Sequence, residues 1–212
     1  MLICYMNIVK VNKDNINLII KETLNSLKNG SIIAYATETF YGLGVKFDLD
    51  ESIKRLYKLK GRPLDKPIPL IIGDLEQLYL VAENINEKAL RLIKEFWPGP
   101  LTLIFKAKKN VSNYITCGTN KVAVRIPGDS FALQLAKNAN FPITATSANP
   151  SGFKPANDAL AVKEYFQDNI DLIIDSGPTY GKKASTILDV SGPEFKILRE
   201  GEIEKEKLLC YL

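Results

Sequence analysis

The chain of 212 residues contains no histidine. That absence removes Ser-His and Cys-His nucleophile pairs and the usual zinc ligand sets, so any chemistry runs on hydroxyls, carboxylates, lysines and arginines. Cysteine is scarce too: Cys4, Cys117 and Cys210 are odd in number and far apart. They form neither a disulfide framework nor a CxxC-type metal site, and fit a reducing interior. No stretch reaches the roughly 18 uninterrupted apolar residues of a membrane span. The N-terminal MLICYMNIVKV lacks a basic leader and a small-residue cleavage site, so it reads as a first strand, with a cytoplasmic location and no membrane contact expected. Neither GxGxxG nor GxxxxGK[ST] occurs, which leaves standard dinucleotide and P-loop sites unsupported. With no internal repeat, low-complexity tract or linker, residues 1–212 read as one domain.

Charge is present without being extreme: 28 Lys and Arg against 24 Asp and Glu give a net charge of +4. This suits anionic ligands but falls short of a dedicated nucleic-acid binder, and a mildly basic surface explains it equally well. Strand and helix signals alternate. Ile16, Ile19, Ile20, Leu24 and Leu27 recur at helical spacing over residues 15–27, and Asn29-Gly30 supplies the stop. Residues 31–36 are a short β run leading into Thr37-Glu38-Thr39. Gly42 and Gly44 are expected to break the backbone. Asp50 is then expected to cap a helix that carries Ile53, Leu56, Tyr57 and Leu59 and ends in Lys58, Lys60 and Arg62.

Pro63 and Pro67 bracket a rigid loop before a buried strand, PIPLII, and helices follow over Leu75–Val81 and Glu87–Phe96. Trp97-Pro98-Gly99-Pro100 makes a corner before strand LTLIFKA and fixes where Thr102 points. KVAVRIP is a strand carrying Arg125, Ser130 caps FALQLAKNA, and ITATSAN is one further short strand. A helix over residues 158–166, strand LIID, a loop over 176–184, strands STILDV and EFKILRE, and a closing helix over 203–212 complete the order. Crossovers mixed with adjacent strands predict an α/β fold with a twisted mixed sheet flanked by helices.

Two dense hydroxyl-and-amide turns, TETFYGLG and SANPSG, fall at predicted strand ends and can meet across a cleft. Lys60 and Arg62 either complement a helix C-terminus or, held by the flanking prolines, bind an anion such as a triphosphate. Arg125 and Arg199 lie in apolar strands, where each needs an acidic neighbour or an anionic ligand. Glu38 is a lone carboxylate with no chelating cluster beside it, which is weak evidence for a metal. Trp97 reads as a core residue and Lys182-Lys183 as a solvated loop tip.

Seven motifs in order, TETFYGLG, KGRPLDKP, WPGPLT, KVAVRIP, TSANPSG, STILDV and ILREG, make the chain resemble the YrdC-type threonylcarbamoyl-adenylate synthases over roughly residues 15–203. The resemblance implies a YrdC-like α/β domain with a large concave basic cavity. It also implies formation of threonylcarbamoyl-AMP and pyrophosphate from L-threonine, bicarbonate or CO₂, and ATP, with Mg²⁺ accompanying the triphosphate. The product is implied to feed N6-threonylcarbamoyladenosine modification of tRNA through separate threonylcarbamoyl-transfer machinery.

By position, the resemblance makes Lys60, Arg62, Ser147 and Asn149 the catalytic set and assigns Thr37, Arg125 and Thr186 to threonine. Lys60, Arg62, Ser147, Asn149, Ser185 and Arg199 are assigned to ATP, and no protein metal ligand is implied. The chain departs from the family pattern at Ala36, Phe40, Lys121 and Ile71, and reads as a short form ending soon after Arg199. The rival reading is a non-catalytic module that binds tRNA or double-stranded RNA through the same basic surface.

Overall fold

The computed structural model of the chain describes residues 8–211, so residues 1–7 of the expected first strand, Cys4 among them, and Leu212 lie outside the described residues. Strand β1 (Ile8–Lys10) leads to α1 (Ile16–Lys28), which buries Ile19, Ile20, Thr23 and Leu27 along the stripe its spacing predicts. β2 (Ile33–Ala36) is buried throughout and returns as β3 (Tyr41–Gly44), an antiparallel hairpin with Ala36 opposite Tyr41.

The hairpin turns at Thr37, Glu38, Thr39 and Phe40, and Gly42 and Gly44 lie inside β3 instead of breaking the chain. The reason is space. A Cβ on Gly44 would stand 2.7 Å from Tyr35 Cε1 and 2.9 Å from Ile143 Cγ2, so a side chain there would collide with the buried tyrosine ring. α2 (Asp50–Lys60) follows and ends at Gly61, in the left-handed region at φ 56°. Asp50 is its first residue and not a side-chain cap; its carboxylate accepts from Ser112 Oγ at 2.5 Å.

The strand expected over PIPLII shrinks to β4 (Leu70–Ile71), since Pro67 and Pro69 have no N–H to give a ladder. α3 (Leu75–Val81), β5 (Ala82–Glu83), α4 (Glu87–Phe96) and β6 (Leu101–Ala107) come next. Beyond them lie a short α5 (Asn113–Thr116), β7 (Lys121–Arg125) and α6 (Phe131–Asn138). Asp74, Asn86 and Ser130 cap α3, α4 and α6, each side chain accepting from the backbone N–H three residues on.

ITATSAN divides into β8 (Ile143–Thr144) and β9 (Thr146–Ser147). Between them Ala145 turns aside to donate its N–H to the Pro69 carbonyl at 2.8 Å. α7 (Ala159–Phe166), β10 (Leu172–Asp175), β11 (Thr186–Asp189), β12 (Lys196–Arg199) and a short α8 (Lys205–Leu209) complete the chain.

Because β8 pairs with β4 and β9 with β3, the expected single sheet is two: β1-β10-β2-β3-β9, and β12-β11-β6-β7-β4-β8 with β5 added beside β6. Each mixes parallel and antiparallel neighbours. One buried apolar cluster, running through Ile33, Leu43, Leu56, Leu70, Leu103 and Leu188, joins elements of both sheets. Each such side chain contributes about 1.5–3 kcal/mol by burial. Among the described residues no helix is long and apolar enough to cross a membrane.

Candidate active site

The β2–β3 turn is built by its own hydroxyl. Thr37 Oγ1 accepts from the N–H groups of Thr39 (3.1 Å) and Phe40 (3.2 Å), contacts Thr39 Oγ1 at 3.0 Å, and donates to the Phe40 carbonyl at 2.8 Å. The second polar turn reaches it through the sheet, since β3 pairs with β9 and sets Gly42 opposite Ser147. The two turns predicted to face each other across a cleft are thus joined by strand pairing.

The end of α2 closes on the same place. Lys60 is buried, and its ammonium donates to the carbonyls of Ser147 and of Asn149, the latter at 2.6 Å. The Ser151 N–H returns a bond to the Lys60 carbonyl at 2.8 Å. Arg62, just past the left-handed Gly61, donates to the carbonyls of Lys66 (3.0 Å) and Pro67 (2.8 Å). Burial first, and the neighbouring Arg62 charge second, lower the Lys60 pKa to about 7. Asn149 gives its amide N–H groups to the Pro150 and Phe153 carbonyls at 2.8 and 2.9 Å, while its buried Oδ1 has no partner. Ser147 is exposed at the end of β9.

A third group sits at the start of β11. Ser185 Oγ lies 2.8 Å from Thr102 Oγ1 on β6, and the Arg199 guanidinium donates twice to the Ser185 carbonyl, at 3.1 and 2.7 Å. Arg199 is exposed at the end of β12, and partial desolvation of its guanidinium, then the charge of Arg125, push its pKa down. Arg125, at the end of β7 with Ile71 of β4 beside it, forms an ion pair with Glu38. Of the two requirements open for a strand arginine, the acidic neighbour is met for Arg125. Lys60, Arg62 and Arg199 have no carboxylate at ion-pair distance among the described residues.

Thr186 is placed differently from its expected role. It is fully buried, and its hydroxyl donates to the Ile203 carbonyl at 2.6 Å while accepting from the N–H groups of Gly201 (2.9 Å) and Ile203 (3.0 Å). A hydroxyl has one proton and two lone pairs, so none is left for a ligand; Thr186 clamps the segment after β12 instead.

A cavity of about 700 Å³ borders the turn at Thr37 and Glu38, with Lys13, Asp129, Gln134 and Tyr180 among its other walls. Its charged lining is one lysine against two carboxylates, and Lys60, Arg62, Arg125 and Arg199 do not line it. This cavity is therefore not the large basic one that the resemblance implies. Residues 176–184 cross the turn closely: Tyr41 Oη donates to the Gly177 carbonyl at 2.8 Å, and a Cβ on Gly181 would stand 2.4 Å from the Thr39 carbonyl oxygen. Glu38 is the site residue that sequence reasoning undervalued; the signal available was a strand arginine in need of an acid.

Cations with no paired carboxylate thus lie around two hydroxyl-and-amide turns in a two-sheet mixed α/β domain, an arrangement whose charge suits an anion. The Sua5/YciO/YrdC family model, described as telomere recombination, matches residues 25–201, and the chain belongs to that family. The threonylcarbamoyl-AMP synthase of Pyrococcus abyssi is 40% identical over 86% of this chain and 54% of its own length. The protein of the same name from Vibrio parahaemolyticus is 34% identical over 85% of this chain and 98% of its own length. The chain thus spans about half of the first relative and nearly all of the second. The solved structure of P. abyssi Sua5 complexed with L-threonine matches with a TM-score of 0.90 at 36% identity, covering 97% of this chain and 60% of that one.

Proposed function

We propose that the chain forms threonylcarbamoyl-AMP and pyrophosphate from L-threonine, ATP and bicarbonate or CO₂. The observation that carries this reading is the set of three cations, Lys60, Arg62 and Arg199, held by backbone carbonyls, with the Ser185 hydroxyl added at Arg199, and by no carboxylate among the described residues. No carboxylate cancels the charge of such a set, and Lys60, its pKa lowered to about 7, can regain its proton beside a polyanion. Support also comes from the relatives named threonylcarbamoyl-AMP synthase and from the relative solved with L-threonine.

In this reading Lys60 and Arg62, with Ser147 and Asn149, take the triphosphate. Ser185 and Arg199 take the rest of the nucleotide, and Arg125 beside the Thr37 turn takes threonine. The threonine amine captures CO₂ as a carbamate, whose oxygen attacks the α-phosphorus and expels pyrophosphate. No protein nucleophile is needed, which accords with a chain that lacks histidine. Catalysis then rests on positioning and on cations aimed at developing phosphate charge, each donor worth about 10²–10³-fold.

Among the described residues no group of three or more Asp, Glu or Cys side chains is placed to hold a metal. In this reading Mg²⁺ accompanies the triphosphate as part of the substrate. The reading puts the protein in the cytoplasm, passing its adenylate to separate threonylcarbamoyl-transfer machinery that acts on tRNA. The test is pyrophosphate release from ATP by purified protein, with and without L-threonine and bicarbonate, and with L-serine as a control. Release that needs both is the expected result. No release from folded protein overturns the synthase reading and leaves binding of tRNA or double-stranded RNA as the reading to pursue.

A further inference from the structure

The Arg125–Glu38 pair uses only part of each group. Arg125 gives one N–H, from Nη1, to Glu38 Oε1, and its guanidinium has no other acceptor among the described residues. Glu38 Oε2 is buried without a hydrogen-bond partner. A buried, unpaired carboxylate oxygen is costly unless something occupies it during function. Its position is well fixed: a Cβ on Gly128 would stand 3.0 Å from Glu38 Cγ, so the 128 backbone braces one side of the side chain while Arg125 holds its end. The same residue, unlike Arg125, borders the cavity of about 700 Å³ alongside Thr37, so Arg125 would be reached through the Glu38 side of that wall.

We propose that Glu38 and Arg125 together form a cradle for the zwitterionic head of an α-amino acid, Arg125 taking its carboxylate and Glu38 its ammonium. The inference rests on the threonine-dependent reading above and adds a substrate-binding residue to it. Donor and acceptor capacities match. Four of the five guanidinium N–H donors remain for a bidentate grip, and Oε2 offers the acceptor an ammonium needs. Thr37 Oγ1 cannot supply that acceptor, because it is saturated by its own turn. The charges match as well. A neutral ion pair receives a neutral zwitterion of opposite sense, so the buried site gains no unpaired charge when the ligand enters. Held at the ammonium, the amino acid presents its nitrogen from one fixed point.

The competing role for Glu38 is that of a plain counter-ion, which the ligand carboxylate must displace from Arg125. The two roles differ in sign. The experiment is calorimetric titration of the full chain, and of Glu38→Gln and Glu38→Asp, with L-threonine, N-acetyl-L-threonine, L-threonine amide and the other proteinogenic α-amino acids. ATP titration and a melting curve check each variant.

The expected result is L-threonine affinity weaker by roughly tenfold to a hundredfold in Glu38→Gln, part of it regained in Glu38→Asp, with ATP binding retained. Blocking either end of the ligand is expected to cost wild type a similar factor. Unchanged or tighter threonine binding in Glu38→Gln overturns the cradle and leaves the synthase reading standing. Binding of a different α-amino acid in place of threonine, with the same dependence on Glu38, supports the cradle and overturns the threonine reading. If wild type binds no α-amino acid with or without ATP, the cradle falls and the pyrophosphate assay alone decides the synthase. If Glu38→Gln melts early or loses ATP binding, equal wild-type affinities for L-threonine and N-acetyl-L-threonine overturn the proposal.

Discussion

The end of α2 and the end of β7 hold their cations in opposite ways. At α2, Lys60 and Arg62 donate to the backbone carbonyls of Ser147, Asn149, Lys66 and Pro67. At β7, Arg125 meets the carboxylate of Glu38. A carbonyl orients a cation without cancelling its charge, whereas a carboxylate cancels it. The first region keeps a field suited to a polyanion, and the second is a neutral pair suited to a ligand with no net charge. One hairpin links them, for Glu38 sits in the β2–β3 turn while β3 pairs directly with Ser147 of β9.

The largest effect that would separate the two regions comes from Lys60→Met and Arg62→Ala. Each is expected to lower kcat/KM for ATP by about 10²–10³-fold, while calorimetric affinity for L-threonine stays within about threefold because Arg125 keeps its partner. Lys60→Met also strips a donor from the Ser147 and Asn149 carbonyls, so its melting curve is read alongside. Threonine binding that falls as far as ATP turnover would show the two regions acting as one and end the comparison.

Much of the scaffold was legible because its signals are local. The periodicity of Glu87–Phe96, the alternation of KVAVR and the Ser130 cap each depend on a few neighbouring residues, and each is found where expected. The division of ITATSAN was not legible, since two-residue strands have no period and their partners are chosen by Pro69 and by β3, far away in sequence. Gly42 and Gly44 look like punctuation until the Tyr35 ring beside them is seen. Within the site, motif order named Lys60, Arg62, Ser147 and Asn149 together, and they are neighbours. Glu38 was undervalued because its partner Arg125 lies 87 residues away.

Thr186 shows the reverse case, in which the resemblance implies a ligand contact and the geometry shows a hydroxyl engaged in a clamp. Thr186→Val removes the acceptor of the buried Gly201 and Ile203 N–H groups. It is expected to lower unfolding free energy in urea by about 1–3 kcal/mol with KM for L-threonine unchanged within about twofold. A tenfold rise in that KM at unaltered stability would return Thr186 to the threonine side of the comparison.

The smallest effect, and the one that reads the comparison most directly, is a fraction of a proton. Burial first, and Arg62 second, bring the Lys60 pKa in the free protein from 10.5 to about 7. Between those values the unfolded chain binds more protons at this residue than the folded one. The contribution of Lys60 to stability is therefore fully present above 10.5, shrinks as pH falls, and is lost below about 7. A bound triphosphate sets negative charge beside the ammonium and raises its pKa again, so nucleotide binding at pH values somewhat above 7 takes up protons at Lys60. ATP affinity should then fall as pH rises, by no more than about tenfold per pH unit for a single group. The measurement is ATP titration near pH 8 in buffers of different ionisation enthalpy, for wild type and for Lys60→Met, with L-threonine titrated in parallel. Uptake is expected for wild type with ATP, reduced in Lys60→Met and absent with L-threonine, because the Arg125–Glu38 pair meets its ligand charge for charge. Equal uptake in Lys60→Met would place the proton on another group and remove Lys60 from the phosphates.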